Sequence, residues 1–190
     1  MRCVAWSGVA IWILALGGCV RDPFVTSDGD TRSGEWYVAR QIDRVTSKEI
    51  PSAAVYAYAS NSYEDFPLAS SAQLTCMDRK PVIRFGFAFK IGNDRDTVLG
   101  YRFDDRPGHE HVESRVLLGK QQIVIEDPNA LAEFMSELPG ADRLYVRMRS
   151  MIGGRTAVEY PLRGSEAAVQ AAFADCPMPP PPSQPRGRTS

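Results

Sequence analysis

Two histidines stand at alternate positions in His109-Glu110-His111. Residues two apart on an extended strand point the same way, so two imidazoles at this spacing can share a metal ion. The segment follows Pro107-Gly108, however, and the chain holds only 2 histidines, so Asp104 or Asp105 would have to complete the ligand set. The expectation is a solvated loop, with no metal and no other cofactor. Asp104-Asp105 offers paired carboxylates for acid–base work, but neighbours on a strand face opposite sides. No Gly-x-Ser-x-Gly elbow is present, and Gly92-Asn93-Asp94 and Gly153-Gly154 read as turns rather than phosphate cradles. No catalytic residue is therefore expected. Arginines are the remaining candidates. Arg147 and Arg149 share a parity on one strand, and Arg84 and Arg102 lie on others. A sheet face carrying these four could bind an anion or the acidic strip of a protein partner; the plainer alternative is an exposed face with ordinary charge balance.

The cysteines bear on where the chain works. Arg2, the apolar run from Val9 to Leu16, and Leu16-Gly17-Gly18-Cys19 have the layout of a secretory signal. The apolar run is too short to span a bilayer, which takes about 20 residues. Its ending resembles the bacterial lipoprotein signal, in which the cysteine is lipidated and becomes the first residue of the mature chain. An ordinary cleaved signal with an incidental Cys19 is the alternative. Val20, rather than Asp, follows the cysteine, which resembles sorting to the outer membrane. Of the 4 cysteines, Cys3 leaves with the signal and Cys19 takes lipid, leaving Cys76 and Cys176 as an even pair in an oxidising setting. A bridge between them closes a loop of 100 residues. Two buried free thiols are the alternative, and two thiols without histidines at ligand spacing do not make a zinc site.

The organisation follows from composition. Residues 1–18 are the expected signal, 19–33 a polar tether, 34–176 the folded domain and 177–190 a proline-rich tail with too little apolar surface to pack. The 190 residues carry formal net charge −1, one unit more negative once Arg2 leaves, with basic residues scattered rather than striped. That balance excludes nucleic acid as an expected partner.

Most of the domain has strand character. Val55 and Ala57 alternate with Tyr56 and Tyr58, and Leu99, Tyr101 and Phe103 alternate with Val98, Gly100 and Arg102. Met77-Asp78-Arg79-Lys80 is a turn between two extended runs, and Phe85, Phe87 and Phe89 form one aromatic row facing the core. Residues 115–118 and 122–125 flank Gly119-Lys120 as a second hairpin, and residues 105–113 form a polar loop. Asp127-Pro128 starts a helix whose Leu131, Phe134, Met135 and Leu138 repeat at helical spacing. Strands follow on either side of Gly153-Gly154, and Ser165 is expected to cap a last helix. Roughly eight strands and two short helices predict a mainly β fold, a single antiparallel β-sandwich-like domain.

The order of landmarks resembles the TagO/VasI-like proteins associated with type VI secretion. The resemblance runs through Trp36, Asp43, Leu74-Thr75-Cys76, Val82-Ile83, Tyr101-Arg102-Phe103-Asp104, Ser114, Leu144-Tyr145-Val146-Arg147, residues 156–160, Leu162-Arg163-Gly164 and Cys176. Thr75 stands where the family often has Arg, and no tryptophan follows the last cysteine. The resemblance implies an exported envelope protein and carries over no catalytic residue. The expected function is an envelope lipoprotein, held in the outer membrane through Cys19 and facing the periplasm, with the inner membrane as the alternative site. It would serve as a non-catalytic module that binds an envelope protein, as an accessory to a secretion system. The alternative is an envelope hydrolase or small-ligand binder using the loop from Asp104 to His111.

Overall fold

Antiparallel ladders organise the chain, as its period-two alternation requires. The structure, a computed structural model, describes residues 25–27, 31–43, 45–117, 119–174 and 176–177. Cys19, the signal, Leu118 and nearly all of the proline-rich tail lie outside the described residues.

The strands are β1 (Val25–Ser27), β2 (Thr31–Ser33), β3 (Trp36–Asp43), β4 (Glu49–Asn61), β5 (Leu68–Met77), β6 (Lys80–Phe87), β7 (Val98–Phe103), β8 (His109–Val112), β9 (Arg115–Val116), β10 (Gln122–Ile125), β11 (Arg143–Ser150) and β12 (Gly154–Pro161). Two short helices, α1 (Pro128–Glu137) and α2 (Ser165–Ala172), complete the described elements. The fold is mainly β and antiparallel, as expected. Three short strands were not expected. β1 and β2 pair with β3, so part of the segment read as a tether joins the sheet. β8 pairs with β7 inside the segment read as a loop. None of the three has an apolar period of its own; each is placed by the ladder beside it.

The sheet is one continuous, curled ladder rather than two separate sheets, in the order β8-β7-β11-β12-β4-β5-β6-β10-β9. The shared member is β4, 13 residues long. One of its edges pairs with β5 from Ser52 to Ala59. Its other edge pairs first with β3, over Glu49 to Ala54, and then with β12, at Ser60 and Asn61. The residues between are where the sheet turns from one half into the other.

Side-chain parity carries the core. Val55, Phe85, Leu99, Tyr101, Phe103, Leu144, Val146, Val158 and Tyr160 are buried, and Phe87 and Phe89 continue the expected aromatic row. The turn between β5 and β6 has Asp78 and Arg79 at φ 50° and 61°, the mirror-image two-residue hairpin turn that suits strand twist. Asp127 caps α1 by accepting hydrogen bonds from the N–H groups of Asn129 and Ala130, both at 3.0 Å, with Pro128 in the first turn. Phe134 on α1 joins the two halves of the sheet. Its ring lies edge-on to Phe85 of β6 at 6.3 Å and to Tyr101 and Phe103 of β7, each at 4.9 Å.

The start of α2 corrects the expected cap. Ser165 is buried inside the first turn, and the capping position belongs to Gly164 at φ 88°, with no side-chain cap. Here residues 33–36 cross residues 162–164. Glu35 N–H donates to Arg163 O at 2.9 Å, and Trp36 Nε1 donates to Leu162 O at 3.2 Å. A Cβ at Gly164 would stand 2.3 Å from Ser33 O, so only glycine lets the two backbones pass. Beyond α2, Cys176 is bridged to Cys76 at the end of β5, with Cα atoms 5.8 Å apart. The bridge, not a pair of free thiols, holds the C-terminal helix onto the sheet.

Candidate functional site

The outward faces of β7, β11, β12 and the end of β4 form an open trough of about 610 Å³. Its shape follows from register. Gly100, Arg147, Ala157 and Ser60 stand opposite one another in a row across the four strands. Three of these have small side chains, and they make the floor. One neighbouring row is Arg102, Tyr145 and Glu159, with Tyr58 beyond it; the other is Val98, Arg149 and Arg155. The first of these rows lines the trough, together with Gly108, His109 and Glu110; the second lies on the same sheet face beside it. Strict alternation keeps Arg143, Arg147 and Arg149 exposed while Leu144, Val146 and Met148 are buried, and the same parity exposes Arg155, Ala157 and Glu159.

The charges in the trough are partly engaged. Glu110 on β8 accepts a short hydrogen bond from Arg147 Nη2 through Oε1, and a weaker one from Arg149 Nη2 through Oε2 at 3.5 Å. The Arg147 hydrogen bond, then the Arg147 and Arg149 charges, hold the Glu110 carboxyl below its ordinary range. Arg102 lies over the Tyr145 ring at 4.9 Å, with Arg143 over the same ring at 5.8 Å. Arg143 also pairs with Glu159 at 3.6 Å. Among the described residues, no carboxylate pairs with Arg102 or Arg155. Tyr58 is 75% exposed on the rim.

Of the four arginines singled out in the sequence, Arg102, Arg147 and Arg149 come together on this face. Arg84 does not. It lies on β6, beyond β12, β4 and β5 in strand order, and hydrogen-bonds Gln73. Tyr58, Tyr145 and Glu110 were missed as members of the trough, and Arg143 and Arg155 as members of the face around it. The parity of residues 143–149 and 155–159 was the available signal for Arg143, Tyr145 and Arg155. Nothing in the sequence brought Glu110 to Arg147, because β8 carries no apolar period.

The two histidines are separated. Leu99 pairs with Val112 and Tyr101 with His109, so β8 holds one more residue than the facing part of β7, and His111 takes φ 57°. This bulge breaks the alternation on which a shared metal depends. His111 is exposed, whereas His109 stacks on Tyr101 with ring centres 4.6 Å apart. Its Nε2 lies 2.6 Å from Glu137 Oε1 and its Nδ1 lies 3.3 Å from Glu133 Oε1. Both ring nitrogens face carboxylates of α1, and the Nε2–Glu137 contact is a hydrogen bond. Burial, then the charges of Glu133 and Glu137, push the Tyr101 hydroxyl well above the ordinary tyrosine range, so it stays protonated. Asp104 clamps a turn: its Oδ1 accepts from Asp142 N–H at 3.2 Å and Arg143 N–H at 2.9 Å. Among the described residues, no group of three or more His, Cys, Asp or Glu side chains is arranged to hold a metal ion. His109 is thus a latch that fastens β8 to α1.

Fold and site together define an antiparallel β domain, closed by a disulfide, that presents an open trough of arginines and tyrosines. Comparison with protein-family models, with curated proteins and with solved structures finds no match.

Proposed function

We propose that this chain is an envelope lipoprotein whose β domain is a non-catalytic module, binding a protein partner on the outer face of β7, β11, β12 and β4. The observation that carries the reading is the trough itself: it is open, and Arg102 and Tyr58 within it, with Arg155 on the same face beside it, have no carboxylate partner among the described residues. The Cys76–Cys176 bridge is consistent with an oxidising compartment. Lipid on Cys19, at roughly 0.8 kcal/mol per buried CH₂, would fix the protein to the outer membrane, facing the periplasm.

The direction of the chain favours this arrangement. Val25 pairs with Asp43, near the Glu49 end of β4, whereas the trough includes Ser60 at the other end. The eleven residue steps from Glu49 to Ser60 give a strand contour of roughly 36 Å. Cys19 precedes Val25 by six residues, so an anchor there would be nearer in sequence to the Glu49 end of the ladder than to the trough. The hydrolase alternative, built on residues 104–111, is disfavoured because Asp104 and His109 already serve as turn clamp and latch. The role of accessory to a secretion apparatus is part of the proposal and rests on the resemblance alone.

The test is recovery of partners from envelope extracts on the membrane-tethered protein. The wild type should retain a partner that the Arg102→Glu/Arg155→Glu variant loses. Recovery of no partner above an unrelated lipoprotein, or equal recovery by the variant, would contradict the reading.

A further inference from the structure

Glu110 reaches the trough from a strand with little to hold it there. β8 is four residues long, ends the strand order, and joins β7 through a bulged ladder. Its grip on the domain is supplemented by the His109 latch behind it. From this edge, one carboxylate spans two guanidiniums that alternate on β11: Oε1 with Arg147 and Oε2 with Arg149. Side chains two apart on a strand stand about 7 Å apart at their bases, so the pair forms a receptor that one carboxylate bridges. Glu110 shows by its presence that a carboxylate fits there.

Arg102 and Arg147 line the trough with Glu110 and Glu159, and Arg143, Arg149 and Arg155 stand on the same sheet face beside it, so the face as a whole carries an excess of positive charge. The two arginines without a carboxylate partner among the described residues, Arg102 and Arg155, stand in the rows on either side of the floor row. A single small anion reaches one row. A chain bearing spaced carboxylates, laid across the small floor formed by Gly100, Ala157 and Ser60, reaches both. Tyr58 and Tyr145 provide ring surface for the uncharged parts of such a chain.

We propose that the trough is a receptor for an acidic peptide segment of a partner protein, and that Glu110 is its resident competitor, occupying from within the chain the Arg147–Arg149 pair that the segment's carboxylate takes. This rests on the binding reading above and names the chemistry of the partner. An incoming carboxylate displaces Glu110 from the guanidiniums, and β8 stays fastened through His109. Affinity is set by the difference between the two carboxylates, so removing the resident one strengthens binding.

The experiment is a fluorescence-anisotropy titration of the detergent-extracted full chain with a labelled decapeptide of alternating Glu and Ala. A Lys-Ala decapeptide is the control and inorganic phosphate the competitor. The wild type should bind the acidic peptide and not the basic one, and Glu110→Gln should bind it roughly tenfold more tightly, equivalent to about 1.4 kcal/mol. Arg155→Glu, which touches no resident ion pair, should weaken binding by a similar factor with the thermal melt unchanged. Unchanged or weaker binding by a folded Glu110→Gln would overturn the proposal. If that variant does not fold, unchanged binding by Arg155→Glu would overturn it instead. Full competition by phosphate at the peptide's own concentration would show a small-anion site and overturn the peptide assignment. If a partner is still captured through this face while the peptide fails to bind, the acidic-segment proposal falls alone; if capture is lost as well, the binding reading falls with it.

Discussion

Opening the Cys76–Cys176 bridge, by reductant or by Cys76→Ser/Cys176→Ser, is expected to destabilise the domain by about 2–5 kcal/mol. The bridge spans 100 residues of sequence, and the chain-entropy account for such a loop gives up to about 4.7 kcal/mol. Its position concentrates the effect. α2 has eight residues, too few to be stable alone, and its buried face is small: Ala168 and Ala172, with Phe173 beyond them. The bridge lies at the end of this helix and fastens it over β5. At roughly 3 °C per kcal/mol for a domain of this size, the unfolding midpoint should fall by about 6–15 °C. Thermal unfolding followed by circular dichroism, with and without reductant, measures it. The double serine variant should match the reduced wild type and be indifferent to reductant.

Phe134→Ala should cost as much, about 3–5 kcal/mol. The ring is 2% exposed and meets Phe85, Tyr101 and Phe103, so it touches both halves of the curled sheet. Its removal leaves a cavity between strands that are far apart in strand order and cannot collapse together without moving α1. Total stabilities of about 5–15 kcal/mol mean that a loss of this size leaves the protein near its threshold. Denaturant unfolding should show a lower midpoint with an unchanged slope. Phe134→Leu, which keeps much of the volume, should lose less than half as much. Equal losses for the two variants would show that the specific ring contacts, rather than volume, hold the halves together.

Much of the fold was legible in the residues. Alternation in β7, β11 and β12 sorted core from surface. Asp127-Pro128 announced α1, and the turn at Asp78-Arg79 placed the β5–β6 hairpin. These signals are local, and local rules read them. The sharing of β4 between two halves was not legible, because a strand's alternation is the same whichever neighbour it pairs with. β8 was hidden for a related reason. Its four residues lie in polar surroundings, and only the ladder to β7 defines them. The same bulge turned His109 inward against α1 and left His111 outside, so a spacing that suggested a shared metal instead gave a latch. At α2, Ser165 had the right chemistry for a cap, but the backbone crossing at Ser33 required glycine one residue earlier.

The trough was half legible. Parity alone joined Arg147 to Arg149, and strand order then brought Arg102 beside them and set Arg84 apart. The pairing of Glu110 with Arg147, 37 residues away in sequence, depends on the edge position of β8.

The proposed place of this protein in the envelope requires an exported chain held by lipid at Cys19 and closed by a disulfide. The direct test is the intact mass of the mature protein from membrane extracts, with and without reductant. A lipid-sized increment on a chain beginning at Cys19, with two protons gained on reduction, is the predicted result. A chain that retains residues 1–18, carries no lipid and has free thiols at Cys76 and Cys176 would contradict it.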